Sequence, residues 1–288
     1  MIYTGCVETI ASTPGQFAGL ALDRALVMGV VNVTPDSFSD GGDFAEPAAA
    51  IVHGLALLAE GADIIDIGGE STRPGGASTA IEDERRRVIP VVEALAERGA
   101  VVSIDTRHAS IMREAIASGA RIVNDVTALS GDSDSLGAVA RSGVAAVLMH
   151  MRGEPATMQT APAYEDVVGE VEAFLAGRLA AAAAAGVART RLAIDPGIGF
   201  GKTLEHNLAL LRATRRLKRL GAPIVVGVSR KSFIARLSKG EPPKQRLAGS
   251  LAAALAALAR GADILRVHDV AATVQAIAVW RAIGSTDS

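Results

Sequence analysis

Polar and ionisable side chains recur at the ends of apolar runs along this chain. They are Asn32, Glu70 and Arg73 within the 68–74 stretch, Asp105, Asn124-Asp125, His150, Asp195, Ser229-Arg230-Lys231 and His268-Asp269, with Arg266 inside the last run. They sort into two kinds of chemistry. Asp105, Asn124 and Asp195 are acceptors. A carboxylate withdrawn from water costs free energy unless something donates to it. A flat heterocycle with several N–H groups would satisfy two carboxylates and an amide; a sugar or a metal would do so too. Ser229, Arg230, Lys231, Ser232, Arg266 and His268 bring hydroxyls, guanidinium and ammonium, a set suited to phosphate or diphosphate. Singly, Lys231 reads equally well as a helix start and Arg266 as the partner of a core carboxylate. Together they favour an anionic substrate. Asn32 offers one neutral oxygen, too little to cage magnesium alone. Magnesium often takes few protein ligands and fills its shell from phosphates and water, so a metal here would arrive with a diphosphate.

These residues need elements that bring them together. The apolar runs cover 26–31, 62–67 (interrupted by Asp63 and Asp66), 101–104, 122–123, 145–149, 192–194, 224–228 and 264–267. Stretches of helical character cover 47–60, 81–98, 108–118, 133–142, 165–185, 204–220, 244–260 and 271–282. Strand–helix alternation repeated eight times predicts an α/β fold, the (β/α)8 TIM barrel, which gathers the C-terminal ends of its strands at one mouth. An open doubly wound sheet would alternate in the same way. Its dinucleotide-binding glycine turn is absent from the first junction, which reads Asn32-Val33-Thr34-Pro35-Asp36. Residues 1–25 stand outside the repeat and are expected to form a hairpin or strap that plugs the barrel bottom, with 26–288 as one barrel domain.

Composition narrows the class. The chain has 288 residues and a formal net charge of -2, which argues against a general nucleic-acid binder while leaving room for a local cationic pocket. Aromatic residues are 3% of the chain, so the core must be built from Ala, Val, Ile and Leu. Cys6 is the only cysteine, which excludes an intrachain disulfide and fits a reducing cytoplasm. No basic segment followed by a long apolar run opens the sequence, and the apolar stretch 180–185 is too short to span a bilayer.

Two glycine-rich loops, 34–42 and 68–79, are long enough to close over a substrate, and Arg73 would meet a leaving phosphate there. Residues 197–203 imitate a nucleotide phosphate loop, but Pro196 stands where the first glycine is required. His150 has no second histidine or cysteine at ligand spacing and reads as a pocket wall; Phe200 reads as core or as a stacking surface. Covalent catalysis has no candidate nucleophile.

Residues 28–42 and 68–75 resemble the first two signatures of the bacterial dihydropteroate synthase family. Residues 195–202, 229–232 and 266–269 are similar to three more, in the family's order, so the resemblance covers about 26–282. It implies a pterin-binding TIM barrel that joins 6-hydroxymethyl-7,8-dihydropterin diphosphate to 4-aminobenzoate. Carried onto this chain, it implies that Asp105, Asn124, Asp195 and Lys231 hold the pterin, with Val126, Met149, Phe200 and Gly227 as walls. It implies that Asn32 ligates magnesium (Mg2+), and that Arg73, Arg266 and His268 bind the diphosphate with it. Thr72, Pro74, Phe200, Lys231 and Ser232 would shape the aminobenzoate site, and Asp105, Arg73 and Lys231 would carry catalysis. The family further implies sulfonamide inhibitors and a homodimer formed through the last helices. Ile198 departs from the aromatic residue of many relatives and removes no polar group. Two alternatives remain open: a pterin-binding methyltransferase barrel, which does not need the Ser-Thr-Arg-Pro loop or the Ser-Arg-Lys turn, and a non-catalytic pterin-binding paralogue.

Overall fold

The computed structural model describes residues 15–34, 42–70, 79–154 and 157–284. Eight parallel strands form the sheet: β3 (Leu26–Asn32), β4 (Ile64–Gly68), β5 (Val102–Asp105), β6 (Ile122–Asp125), β7 (Ala145–Met149), β8 (Leu192–Asp195), β9 (Val225–Gly227) and β10 (Ile264–Val267). They are ordered β8-β7-β6-β5-β4-β3-β10-β9. The ring closes between β8 and β9 through a parallel bridge, Ile194 to Ile224, and a 2.9 Å hydrogen bond from Ile194 N–H to the Pro223 carbonyl. The expected barrel is present.

Alternation along each strand decides what faces where. Val27, Val31, Ile65, Ile67, Ile104, Val123, Leu148 and Ile194 point outward into the layer packed by the helices. Leu26, Met28, Ile64, Ile122, Val147, Ala193, Val225 and Ile264 point inward and fill the lower barrel. Continuing that parity toward the C-terminal ends puts Asn32, Asp66, Asp105, Asn124, Met149, Asp195, Gly227 and Arg266 inside. The barrel is therefore apolar below and polar above.

The helices are α1 (Gly42–Ala59), α2 (Ile81–Ala96), α3 (Ala109–Ala117), α4 (Ser135–Ser142), α5 (Val167–Ala184), α6 (Leu204–Arg212), α7 (Thr214–Leu217), α8 (Ser232–Leu237), α9 (Leu247–Leu258) and α10 (Val270–Gly284). Three differ from expectation: α8 falls between the expected helical stretches, in none of them. The single helix expected over 204–220 is split, because the Thr214 hydroxyl donates back to the Leu211 carbonyl (2.9 Å) and the chain tightens there. The helix expected over 244–260 begins at Leu247 after a 3-10 turn, Pro243–Gln245. Among the described residues no helix is long and apolar enough to cross a membrane.

Of the N-terminal extension, residues 15–25 are described. A hairpin, β1 (Gln16–Phe17) and β2 (Leu20–Ala21), turns through Ala18 and Gly19, both at positive φ (51° and 81°), the type I′ geometry that suits tight hairpins. It drives Phe17, fully buried, into the lower cluster against Leu26, Met28 and Ile64. The Arg121 guanidinium holds the turn by donating to the Ala18 carbonyl (2.7 Å). The hairpin sits against the bottom of the barrel; residues 1–14 lie outside the described set.

Candidate active site

Asn32, Asp105, Asn124, Asp195 and Arg266 each stand in the last two residues of a strand, so rigid backbone aims them, while Lys231 and His268 follow β9 and β10 in loops. Strand register sets Asp66 beside Ser103, Gly68 beside Asp105, Asp105 beside Asn124, and Asn32 beside Gly68. Arg266 reaches across this layer. Its Nε donates to Asp66 Oδ2 (2.6 Å) and its Nη2 to Asp105 Oδ2 (2.7 Å), while Asn124 Nδ2 donates to Asp66 Oδ2 (3.2 Å). The core pairing weighed for Arg266 is thus real. Nη1 makes no hydrogen bond to a described residue and remains for an anion at the mouth.

Two carboxylates share this one guanidinium. Asp66 is fully buried, and its Oδ1 finds no partner among the described residues. Burial pushes the Asp105 carboxyl up to about 7; Arg266 opposes the shift and Asp66 adds to it. Burial works to lower the Arg266 pKa, but Asp66 and Asp105 outweigh it and hold the guanidinium above its ordinary range. An acceptor-rich layer short of donors is the arrangement that favours a ligand bearing N–H groups.

The second half of the site lies on β8 and β9. Burial raises Asp195, against Lys231 and the Gly197 N–H, which donates to Asp195 Oδ1 at 2.7 Å. Lys231 precedes α8 and bends back over the mouth. Its ammonium donates to the Ile198 carbonyl and stands 4.7 Å from the centroid of the Phe200 ring. Burial pushes it down to about 8, with Asp195 opposing. Glycine suits the position beside it: Gly199 has a φ of 85°, and a Cβ there would sit 3.2 Å from Lys231 Cδ. Val126 and Met149 are buried walls, and Ser232 opens α8 with its side chain exposed. His268 Nδ1 meets Ser229 Oγ at 3.1 Å, joining the ends of β9 and β10.

Asn32 ends β3 at the mouth, and its amide bonds to no described residue. Among the described residues no group of three His, Cys, Asp or Glu side chains could hold a metal. One free amide oxygen beside the Arg266 and His268 strand fits magnesium carried in by a diphosphate and does not fit a metal held by protein alone. Thr72, Arg73 and Pro74 lie outside the described residues, as do most of the two loops expected to close. The ends of the second loop are held: Arg107 donates to both oxygens of Glu70 (3.1 and 3.0 Å), and the Thr79 amide reaches Glu70 Oε1 at 3.4 Å.

Some expectations change. Arg230 is no pocket cation: it takes a left-handed φ of 59°, and its guanidinium is bound to Asp269 (Nε to Oδ2, 3.0 Å). This strained residue fixes the Ser229–Lys231 turn from outside the mouth. His150 is not a pocket wall either; strand parity turns it outward, edge-on to Phe174 of α5 at 4.9 Å. Ile198 is fully buried in the outer core, so the departure there touches packing alone. Asp66 and Lys202 were not anticipated. Asp66 could have been found from parity, since it shares the inward face two residues before Gly68.

An eight-stranded barrel with a buried acceptor layer and adjoining cations at its mouth is the architecture of an enzyme that binds a flat, N–H-rich ring. Residues 28–268 match the family described as pterin binding enzyme. The dihydropteroate synthase of Neisseria meningitidis serogroup B is 50% identical over 277 residues, covering 94% of this chain and 96% of that one. The Xanthomonas albilineans dihydropteroate synthase, solved with 4-aminobenzoic acid, superposes with a TM-score of 0.88 at 52% identity, over 94% of this chain and 97% of that one. The Yersinia pestis dihydropteroate synthase, solved in a sulfonamide drug complex, gives 0.87 at 44% identity, over 93% and 98%. The chain belongs to the dihydropteroate synthase family.

Proposed function

We propose that this chain is a transferase that condenses 6-hydroxymethyl-7,8-dihydropterin diphosphate with 4-aminobenzoate, giving 7,8-dihydropteroate and diphosphate. The observation that carries the reading is the acceptor layer of Asp66, Asp105 and Asn124 set beside Asp195, Lys231 and Arg266 at the mouth.

The pterin ring offers its N–H edge to Asp105, Asn124 and Asp195, and Lys231 donates to its carbonyl or ring nitrogen side. Met149, Val126, Gly227 and Phe200 enclose it. Arg266 Nη1, His268 and Arg73 meet the diphosphate. Asn32 would hold magnesium brought in by the diphosphate, and the ion when bound would supply positive charge to the leaving group. The bond between the pterin methylene and the diphosphate oxygen breaks with its electron pair on diphosphate. The Asp105 carboxylate stabilises the resulting cation, as a preorganised charge does in a water-poor site. The 4-aminobenzoate amine, placed by Thr72, Pro74, Phe200, Lys231 and Ser232, forms the new C–N bond and gives its extra proton to solvent. No strong general base is needed, because an arylammonium is a ready acid.

The second expectation is assembly. Val279, Trp280 and Ile283 are exposed on α10, 56%, 37% and 80% accessible, and an apolar groove of about 480 Å³ opens between α6, α8 and α9. These surfaces suit a second copy of the chain. The lone cysteine suits the cytoplasm, where we place the enzyme.

The test is inhibition kinetics. A sulfonamide should inhibit dihydropteroate formation competitively with 4-aminobenzoate, and chelation of magnesium should abolish turnover. Inhibition indifferent to added 4-aminobenzoate would contradict the shared site.

A further inference from the structure

The loop from Asp195 to α6 is built around a buried ammonium. Lys202 is 2% exposed, and its Nζ contacts His150 Nδ1 (3.0 Å), the His150 carbonyl (3.3 Å) and the Phe200 carbonyl (2.9 Å). All three partners are neutral. Among the described residues no carboxylate is hydrogen-bonded to this lysine. Withdrawing an ammonium from water without an ion-pair partner is costly, and a methionine would fill the same space without that cost. Burial pushes this ammonium down to about 7, and Asp195 opposes the shift.

The loop shows what it holds. Gly197 and Gly201 run so close to the β7 end that a Cβ at Gly197 would lie 1.9 Å from the His150 carbonyl oxygen, and one at Gly201 2.2 Å from that of Arg152. Asn207 Oδ1 accepts from Gly199 N–H (2.6 Å), and Tyr164 donates to the Gly201 carbonyl (3.0 Å). Lys202 sits at the centre of this clamp, between the residue that follows Met149 and the carbonyl of Phe200. The charged groups that face it are Asp195, Lys231 and Arg152. Those that face Asp195 are Lys231, Arg266 and Lys202 itself.

We propose that Lys202 is a positioning residue for pterin binding: pinned by His150 and Phe200, it fixes the 196–203 loop that follows Asp195 and sets a cation behind that carboxylate. The proposal rests on the reading of Asp195 as a pterin acceptor. Burial alone raises Asp195, and each cation that faces it pulls it back down. Removing the Lys202 charge raises Asp195 further, so pterin binding fails at a higher pH on the acid side. His150 is consistent with its part. Burial, then Lys202, pushes the ring down to about 3, so it is neutral, with Nδ1 free to accept from the ammonium.

The experiment measures the affinity of 6-hydroxymethyl-7,8-dihydropterin diphosphate by calorimetry from acid to neutral pH for wild type, Lys202→Met and Lys202→Arg, with melting curves alongside. The expected result is roughly tenfold or weaker binding in Lys202→Met, as for loss of a charged support. The acid-side midpoint should move to higher pH, and Lys202→Arg should restore the midpoint at least in part. Where Lys202→Met does not fold, Lys202→Gln, which keeps donors without charge, is expected to show the same displaced midpoint. A lower melting temperature with the midpoint unmoved would overturn the proposal and leave Lys202 a packing residue. A wild type that binds no pterin at any pH would overturn the site reading itself, and the proposal with it.

Discussion

At the scale of single residues, function here depends on side chains whose charge states are set by burial. Asp195→Asn keeps the shape and removes an anionic acceptor. Loss of a hydrogen bond to a charged group is worth about 1.5–3 kcal/mol, so pterin affinity should fall by a factor of roughly 10 or more. Arg73→Ala should slow diphosphate release with a milder loss of pterin affinity; equal and negligible effects of both substitutions would contradict the assignment. The pH profile has a defined sign. Asp105 stands at about 7 and acts as an anion, so rate should climb as pH passes through that value. Lys231 stands at about 8 and acts as a cation, so rate should fall above it. Lys231→Arg holds its charge, and its alkaline limb should vanish in a stopped assay run from pH 6 to about 10. Most of this site could be read from sequence because strand ends announce themselves as a polar residue after an apolar run. Asp66 escaped because it interrupts such a run, and Lys202 because its motif imitates another. Which donor Arg266 spends on the core and which on the mouth is a matter of three-dimensional reach, invisible in spacing.

At the scale of elements, strand parity and loop closure separate stability from chemistry. Phe17 of β1 fills the barrel bottom, opposite the mouth. Phe17→Ala should cost about 3–5 kcal/mol in denaturant unfolding while leaving both Michaelis constants near wild type; a changed pterin Michaelis constant would show that the plug reaches the site. Gly197→Ala tests the other end. At φ 66° and within 1.9 Å of the His150 carbonyl, a methyl group cannot be placed without moving the loop, so pterin binding should collapse. Boundaries of helices and strands were legible to within a few residues because glycine and polar punctuation mark them. The break after Arg212 was not, since it comes from a local hydroxyl-to-carbonyl bond within an unbroken helical pattern.

At the scale of the whole molecule, eight alternations left little choice but a closed barrel, and closure is what turns separate run ends into one site. Partner surfaces were less legible: Val279, Trp280 and Ile283 read from sequence as ordinary helix residues, and only the fold leaves them uncovered. On the proposed assembly through α10, Trp280→Glu should leave the protein monomeric in light scattering where the wild type is a dimer. A dimer unaffected by that charge would place the interface elsewhere. The most direct measurement is turnover. Purified chain would be mixed with 6-hydroxymethyl-7,8-dihydropterin diphosphate, 4-aminobenzoate and magnesium, and the products followed by mass. The expected product is 7,8-dihydropteroate, formed only when all three are present. A folded sample that yields none while still binding the pterin would contradict the catalytic claim and leave a pterin-binding paralogue in its place.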